Sequence, residues 1–250
     1  MSIMVNMITD RQEKLLNFII KEYVKTAKPV GSALVAKKGD FDLGPASLRS
    51  EMCELEQAGY LSHLHTSGGR VPTDKAYRYF VNNLIQNDNF EPATEEKRKI
   101  RTAINSTEDP RLLNKSIAQV LSDLSDSIVI TKISNAPDFY KVGLSSLFEF
   151  PEFKEMERIF EVTNIFDRFE SIFDKIEEHF FGQLNDEFQL LIGGENPLRN
   201  IRDETMILAK YDLPEGLMGS LTMIGPMRMD YGKNISLVKY TTEQLNQIVR

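Results

Sequence analysis

LHTSGGRVPTDKAYRYF, residues 64–80, sets two glycines and an arginine between a strand-like run and a proline-led, aromatic-rich segment. Glycines tolerate positive φ at little steric cost, so TSGGR reads as the tight tip of a hairpin. YLSHLH (60–65) is then the outgoing strand, RVP (70–72) the returning one, and Thr73 the cap of a helix reaching about Ile85. Upstream, Pro45 occupies a first helical position, and ASLRSEMCELEQAG turns Leu48, Met52 and Leu55 inward before Gly59 ends the helix. GDFDLG is a turn, and Ser32 is placed to cap a short helix through about Lys38. Thr9 with Gln12 makes a capping box for a helix over 10–26, whose inner face is Leu15, Leu16, Ile19, Ile20, Tyr23 and Val24. Three helices, a hairpin and a closing helix within residues 1–87 are the order of a winged helix-turn-helix.

That order assigns candidate contacts. In a helix-turn-helix the second helix of the motif enters the major groove, and its first residues meet base edges. The outward positions are Ala46, Ser47, Arg49 and Ser50, with Cys53 on the border. Arg49 can grip a guanine bidentately. Arg70 at the hairpin tip is expected to reach DNA, where Ser67, Gly68 and Gly69 let the backbone approach closely. Lys28, Lys75 and Arg78 are candidate phosphate contacts, which set register without reading sequence. The plainer alternative makes Arg49 a solvated helix residue, Arg70 an ordinary loop cation, and the module a protein-binding one.

Charge supports a DNA-binding head on an acidic body. The whole chain of 250 residues carries a net −7, but residues 1–83 hold 11 Lys/Arg against 9 Asp/Glu. One cysteine excludes an internal disulfide and suits a reducing compartment. The first residues lack a signal-peptide pattern, and no apolar run is long enough for a membrane span. A cytoplasmic protein is expected.

NDNFEPATEEKRK reads as polar connection, so residues 88–108 are expected to be a linker with a connecting helix near 94–104. Beyond it, 109–125 looks helical, 127–133 a strand, and 152–184 a Phe-rich helical stretch. Short strands follow at 187–193, 204–210 and 217–225, then an amphipathic helix over about 234–249. Residues 109–250 are therefore an α+β domain with a small antiparallel sheet.

At these residues the chain resembles the heat-inducible transcription repressor HrcA family. The similarity rests on RQ (11–12), PVGS (29–32), SLRSEM (47–52), Gly59, HTSGGR (65–70), PT (72–73), YR (77–78) and Val81. It resumes in GLSSLFEFPEF (143–153), IGGENP (192–197) and IGPMRMDY (224–231). Ser50 stands where the family usually has asparagine, Gly68 for alanine, Ala76 for glycine and Phe80 for tyrosine. Ser50 lies on the candidate reading face, which bears on operator preference. Between the strand near 127–133 and Gly143 the chain is much shorter than ordinary members, which carry further strands and a dimerising insertion there. The resemblance implies an N-terminal winged helix and a reduced GAF-like domain with a shortened dimerisation region. It also implies that His65 belongs to the strand entering the wing. By function it implies a repressor of chaperone genes that binds an inverted-repeat operator on double-stranded DNA as a homodimer, modulated by a GroEL-type chaperonin and released by heat. A ligand-sensing regulator, with a small molecule in the GAF-like domain, is the alternative.

Other chemistry is weakly signalled. GxxxxGK[ST], GxSxG and HExxH are absent from the sequence. His63 and His65 with Cys53 could hold a metal, but H-x-H plus one distant thiol is poor spacing, and no metal or cofactor is expected. GGEN is a possible phosphate turn resting on a lone glycine pair. Phe160, Phe166, Phe169, Phe173, Phe180 and Phe181 suit a core or a subunit interface. Glu195, Asp212 and Asp230 lie near turns without a nucleophile or histidine beside them, so no enzyme follows.

Overall fold

The computed structural model describes residues 8–63, 69–86, 90–134, 136, 139–176, 188–196 and 201–248. It divides into two compact units, Met1–Asp88 and Asn89–Arg250. His65, Ser67 and Gly68, together with Phe180 and Phe181, lie outside the described residues.

In the first unit α1 spans Asp10–Thr26, α2 Ser32–Lys38 and α3 Pro45–Gln57. The capping box at α1 is formed: Gln12 N donates to Thr9 Oγ1 at 3.2 Å and Thr9 N to Gln12 Oε1 at 3.0 Å. Leu15, Leu16, Ile19 and Ile20 are buried along one stripe, meeting Leu48, Met52 and Leu55 of α3 and Tyr77 and Val81 in the same core. At α2 the expectation is corrected by one residue. Gly31 holds the cap position with no side-chain cap, and Ser32 is already helical. Gly59, at φ 79, turns the chain out of α3 into β1 (Leu61–His63). That strand pairs antiparallel with β2 (Arg70–Pro72), with His63 opposite Arg70. Val30 adds an antiparallel bridge to Arg70 on the other side of β2. Thr73 then accepts from Ala76 N at 3.3 Å and opens α4, Asp74–Gln86.

The second unit is a five-stranded antiparallel sheet in the order β4-β3-β7-β6-β5. Its strands are β3 Ile128–Ile133, β4 Phe139–Val142, β5 Phe188–Ile192, β6 Glu204–Leu213 and β7 Leu217–Pro226. Alternation along them divides the side chains between two helical layers. Thr131 and Tyr211 turn toward α6 (Pro110–Ser125), both bonding Asn114, and Thr205 meets Tyr231 at the start of α9 (Tyr231–Ile248). Ile128, Ile130, Met206, Leu208 and Ile224 form the opposite face. They pack with Leu147 of α7 (Leu144–Leu147), Phe153, and Val162, Ile165 and Phe169 of α8 (Met156–Ile176).

Sequence expectation and structure differ at three places here, and agree at a fourth. Residues 94–104 form the expected helix, α5, with Ile100 and Ile104 buried against the second unit's own helices. β4 was not expected as a strand. The helix expected from 152 starts at Met156, after a 3-10 turn at Pro151–Phe153, and residues 177–184 of that reading lie outside the described residues. The final helix starts at Tyr231, three residues early, with Asp230 Oδ1 accepting from Lys233 N at 3.0 Å. Gly143 shows why a glycine is needed before α7: at φ 91, a Cβ there would lie 2.2 Å from Ser127 O.

Candidate nucleic-acid interface

α3 presents two different faces. Leu48, Met52 and Leu55 are fully or almost fully buried, at 0%, 3% and 1% exposure. Ala46, Ser47, Arg49 and Ser50 are exposed on the first turns. The four residues singled out by helical periodicity thus share one open surface at the N-terminal end of a well-anchored helix. Gly44 holds the cap position without a side-chain bond, so that end also offers unpaired backbone N–H groups for an anion.

Side chains on other elements hold α3 in place. Arg11 of α1 is paired with Glu51, a carboxylate only 7% exposed, and Gln12 Nε2 donates to Glu54 Oε2 at 2.8 Å. At the other end Lys75 Nζ donates to the Ala58 carbonyl at 2.7 Å and sits 4.3 Å from the centre of the Tyr60 ring. Thr73 Oγ1 lies 2.8 Å from Gly59 O and 3.1 Å from Tyr60 O. Lys75, a candidate phosphate contact, is therefore engaged at the C-terminal end of α3, where a cation also complements the helix dipole.

Arg70 departs most from the sequence reading. It stands first in β2, where the RVP strand reading puts it, but it is 9% exposed and not open at the tip. Its Nε lies 2.8 Å from Glu56 Oε2, its Nη2 lies 3.6 Å from Cys53 Sγ, and His63 Nδ1 pairs with the other oxygen of Glu56. The physical reason is the strand register. Directly opposed residues point to the same face, so His63 and Arg70 converge on one carboxylate. Gly69 also has a different role from the one its tip position suggests. It is not among the positive-φ glycines; instead a Cβ on it would lie 2.5–2.8 Å from the backbone of Val30 and Gly31. Close strand approach, rather than a turn conformation, demands glycine there.

Of the remaining candidates, Lys28 is exposed and Arg78 half-buried. His65, Ser67 and Gly68 lie outside the described residues. The clamp residues Arg11, Gln12, Glu51 and Glu56 were missed from the sequence as functional positions. A spacing signal existed for Glu56 alone, which stands seven residues after Arg49 on the same helical stripe.

The other chemistries take structural places. Among the described residues no group of three His, Cys, Asp or Glu is arranged to hold a metal. In the GGEN turn, Asn196 Nδ2 lies 2.8–3.0 Å from the carbonyls of Gly193, Ile201 and Glu204, and Glu195 Oε2 accepts from Ile192 N at 2.9 Å. In the second unit a charged cluster surrounds the buried Glu204: Arg158 reaches Glu161 and Asp203 at 2.9 Å and Glu204 at 2.6 Å. Burial pushes the Glu204 carboxyl up to about 7, against the opposing pull of Arg158. A groove of about 770 Å³ between α5 and α6 is lined by Arg98, Lys99, Thr102, Leu112, Lys115 and Tyr140. Among the described residues no helix is long and apolar enough to cross a membrane.

Comparison with known proteins adds an independent line. The family model described as "HrcA protein C terminal domain" matches residues 74–235. A "Heat-inducible transcription repressor HrcA" of Clostridium botulinum (strain Alaska E43 / Type E3) is 25% identical, with 97% of this chain and 98% of that protein covered. Its namesake in Carboxydothermus hydrogenoformans is 27% identical, with 97% and 98% covered. These alignments run over 346 and 344 positions against 250 residues here, so they open wide gaps in this chain. Among solved structures, one described as "Crystal structure of a hypothetical protein at 2.2 A resolution" superposes with a TM-score of 0.79 at 17% identity. That superposition covers 96% of this chain and 98% of the other, and it speaks for the fold alone.

Proposed function

From the premise that this chain belongs to the HrcA family, we propose that it is a repressor of heat-shock genes that binds its operator through α3. The carrying observation is the exposed quartet Ala46, Ser47, Arg49 and Ser50 on a helix whose other side is locked into the core. In this reading the first unit is a winged helix-turn-helix. Arg49 reads a base in the major groove, Ser47 and Ser50 reach bases or phosphates, and Lys28 and Arg78 grip the backbone. The hairpin tip, with His65, Ser67 and Gly68, is the wing. The second unit is a GAF-like domain with a reduced dimerisation region, and it brings two winged helices to the halves of an inverted repeat. The family's regulatory logic, a GroEL-type chaperonin sustaining the active repressor until heat diverts it, extends to this chain. So do a cytoplasmic location and the absence of a catalytic role.

Mobility-shift titration decides the central point, using a duplex with the inverted repeat upstream of the same genome's chaperone genes and a scrambled duplex. The reading expects at least a thousandfold preference for the repeat, and equal affinity for both duplexes would defeat it. Light scattering on the same samples reports whether the bound species is a dimer.

The groove between α5 and α6 favours a second reading, in which the second unit takes a small ligand: its volume falls within the usual range for such sites. A small-molecule thermal-shift screen that raises the unfolding temperature and changes operator affinity would favour that reading.

A further inference from the structure

Glu56 raises a difficulty for a DNA-reading surface. Arg49, Cys53 and Glu56 are spaced i, i+4 and i+7, so they lie along one stripe of α3, with about 10 Å of helix axis between Arg49 and Glu56 at 1.5 Å per residue. A carboxylate on the stripe that carries the base-reading arginine would repel phosphate. The structure sets two side chains of the hairpin against it: the Arg70 guanidinium on Oε2, which offsets its charge, and the His63 imidazole on Oε1.

Arg70 is fixed at its backbone by two hydrogen bonds and at its side chain by an ion pair, in which Nε approaches Glu56 without an aligned hydrogen bond. Its backbone N donates to Val30 O at 2.8 Å and its carbonyl accepts from Val30 N at 2.8 Å. Its side chain, 11% exposed, spans from Glu56 to Cys53 Sγ. To touch a phosphate, the guanidinium would have to abandon the Glu56 carboxylate and leave that charge half-buried with one partner fewer, a costly exchange.

We infer that Arg70 is a positioning residue: through Glu56 it fastens the hairpin to the C-terminal end of α3 and itself makes no contact with DNA. The inference rests on the reading of α3 as the DNA-binding helix. It inverts the usual expectation for an arginine beside a glycine pair. In this arrangement the cation belongs to the scaffold, and the DNA contacts of the hairpin fall to residues nearer its tip.

The sign of one substitution separates the alternatives. With the full chain and the inverted-repeat duplex, anisotropy titrations at several salt concentrations compare wild type with Glu56→Ala, Arg70→Ala and Arg70→Lys. Alanine keeps α3 helical, so Glu56→Ala leaves the fold testable. A positioning role predicts that Glu56→Ala weakens operator binding about five- to tenfold although it removes a negative charge. It predicts that Arg70→Lys behaves like Arg70→Ala, because a point cation does not reproduce the planar fork. It further predicts that the slope of log K against log salt stays within about 0.3 of wild type in both Arg70 variants. Direct phosphate contact predicts the reverse: Glu56→Ala frees Arg70 and tightens binding, lysine rescues, and Arg70→Ala reduces the slope by about 0.9. Any one of those three results overturns the inference. If wild type itself fails to prefer the repeat, the DNA reading falls. The Arg70–Glu56 link is then still judged by thermal unfolding of the two alanine variants and their double, whose effects must be non-additive.

Discussion

Arg11 and Glu51 join the first turn of α1 to the middle of α3, and they do so asymmetrically: the arginine side chain is 61% exposed, the glutamate side chain 10%. Half of this pair is already in water and half is committed to the interior. A pair of this kind has unequal halves, because the cost of breaking it depends on which partner is stranded.

Removing the arginine strands the buried carboxylate, so Arg11→Ala should destabilise the first unit by about 1–3 kcal/mol. Glu51→Gln strands an exposed guanidinium that water satisfies, so it should cost less than about 1 kcal/mol. Native-state hydrogen exchange at Leu48 and Met52 measures both on the intact chain. Equal losses, or a larger loss from Glu51→Gln, would refute the asymmetric view.

Gly69→Ala should damage the hairpin far more than a loop substitution ordinarily does. The added methyl would collide with the Val30 carbonyl and the Gly31 nitrogen, which are backbone atoms that cannot rotate away. The two Val30–Arg70 hydrogen bonds must then lengthen or break, at a cost of about 2–4 kcal/mol. Gly44→Ala is the control, since nothing lies within 4 Å of its added Cβ. Exchange protection at Val30 and Arg70 should collapse in the first variant and persist in the second.

What the sequence revealed, and what it hid, divides along the range of the interactions. Periodicity placed α1 and the inward face of α3, because Leu48, Met52 and Leu55 recur at the spacing of one helix. The exposed quartet followed from the same arithmetic. The strand that begins at Arg70 was legible, but the inward direction of its side chain depends on strand register, which depends on how many residues the tip consumes, and the sequence leaves that open. α5 was legible as a helix over 94–104, although its 11 residues bury only Ile100 and Ile104 and look polar otherwise. β4 is four half-buried residues at a sheet edge, too short to show alternation.

The Glu204 cluster predicts a pH dependence in the second unit. Burial raises this carboxyl to about 7, Arg158 pulls it down, and Asp203 and Glu161 push it up again. A folded-state value above the unfolded one means that the folded form holds the proton more tightly. Its stabilising contribution is complete below about 4.5 and is lost as pH rises through 7. Between those limits the second unit should lose on the order of 2–3 kcal/mol from this group. In Glu204→Gln that slope should flatten. Urea unfolding of wild type and variant across pH 5 to 8 gives the comparison, and parallel curves would discount Glu204 as the source.

Arg49→Ala tests the interface most directly. Arg49 is exposed on the first turns of α3, between the buried Leu48 and the ion-paired Glu51, so its removal leaves the core and the clamp untouched. Stability should therefore change by less than about 0.5 kcal/mol. If Arg49 holds a guanine edge, its loss removes about 1–3 kcal/mol of discrimination. The affinity ratio between repeat and scrambled duplex should then fall by one to two orders of magnitude, with scrambled binding nearly unchanged. A phosphate-only role predicts a different pattern, in which both affinities fall together and the salt slope drops by about 0.9. Titrating the variant against both duplexes at two salt concentrations distinguishes these outcomes, and a ratio equal to wild type would remove Arg49 from the reading surface.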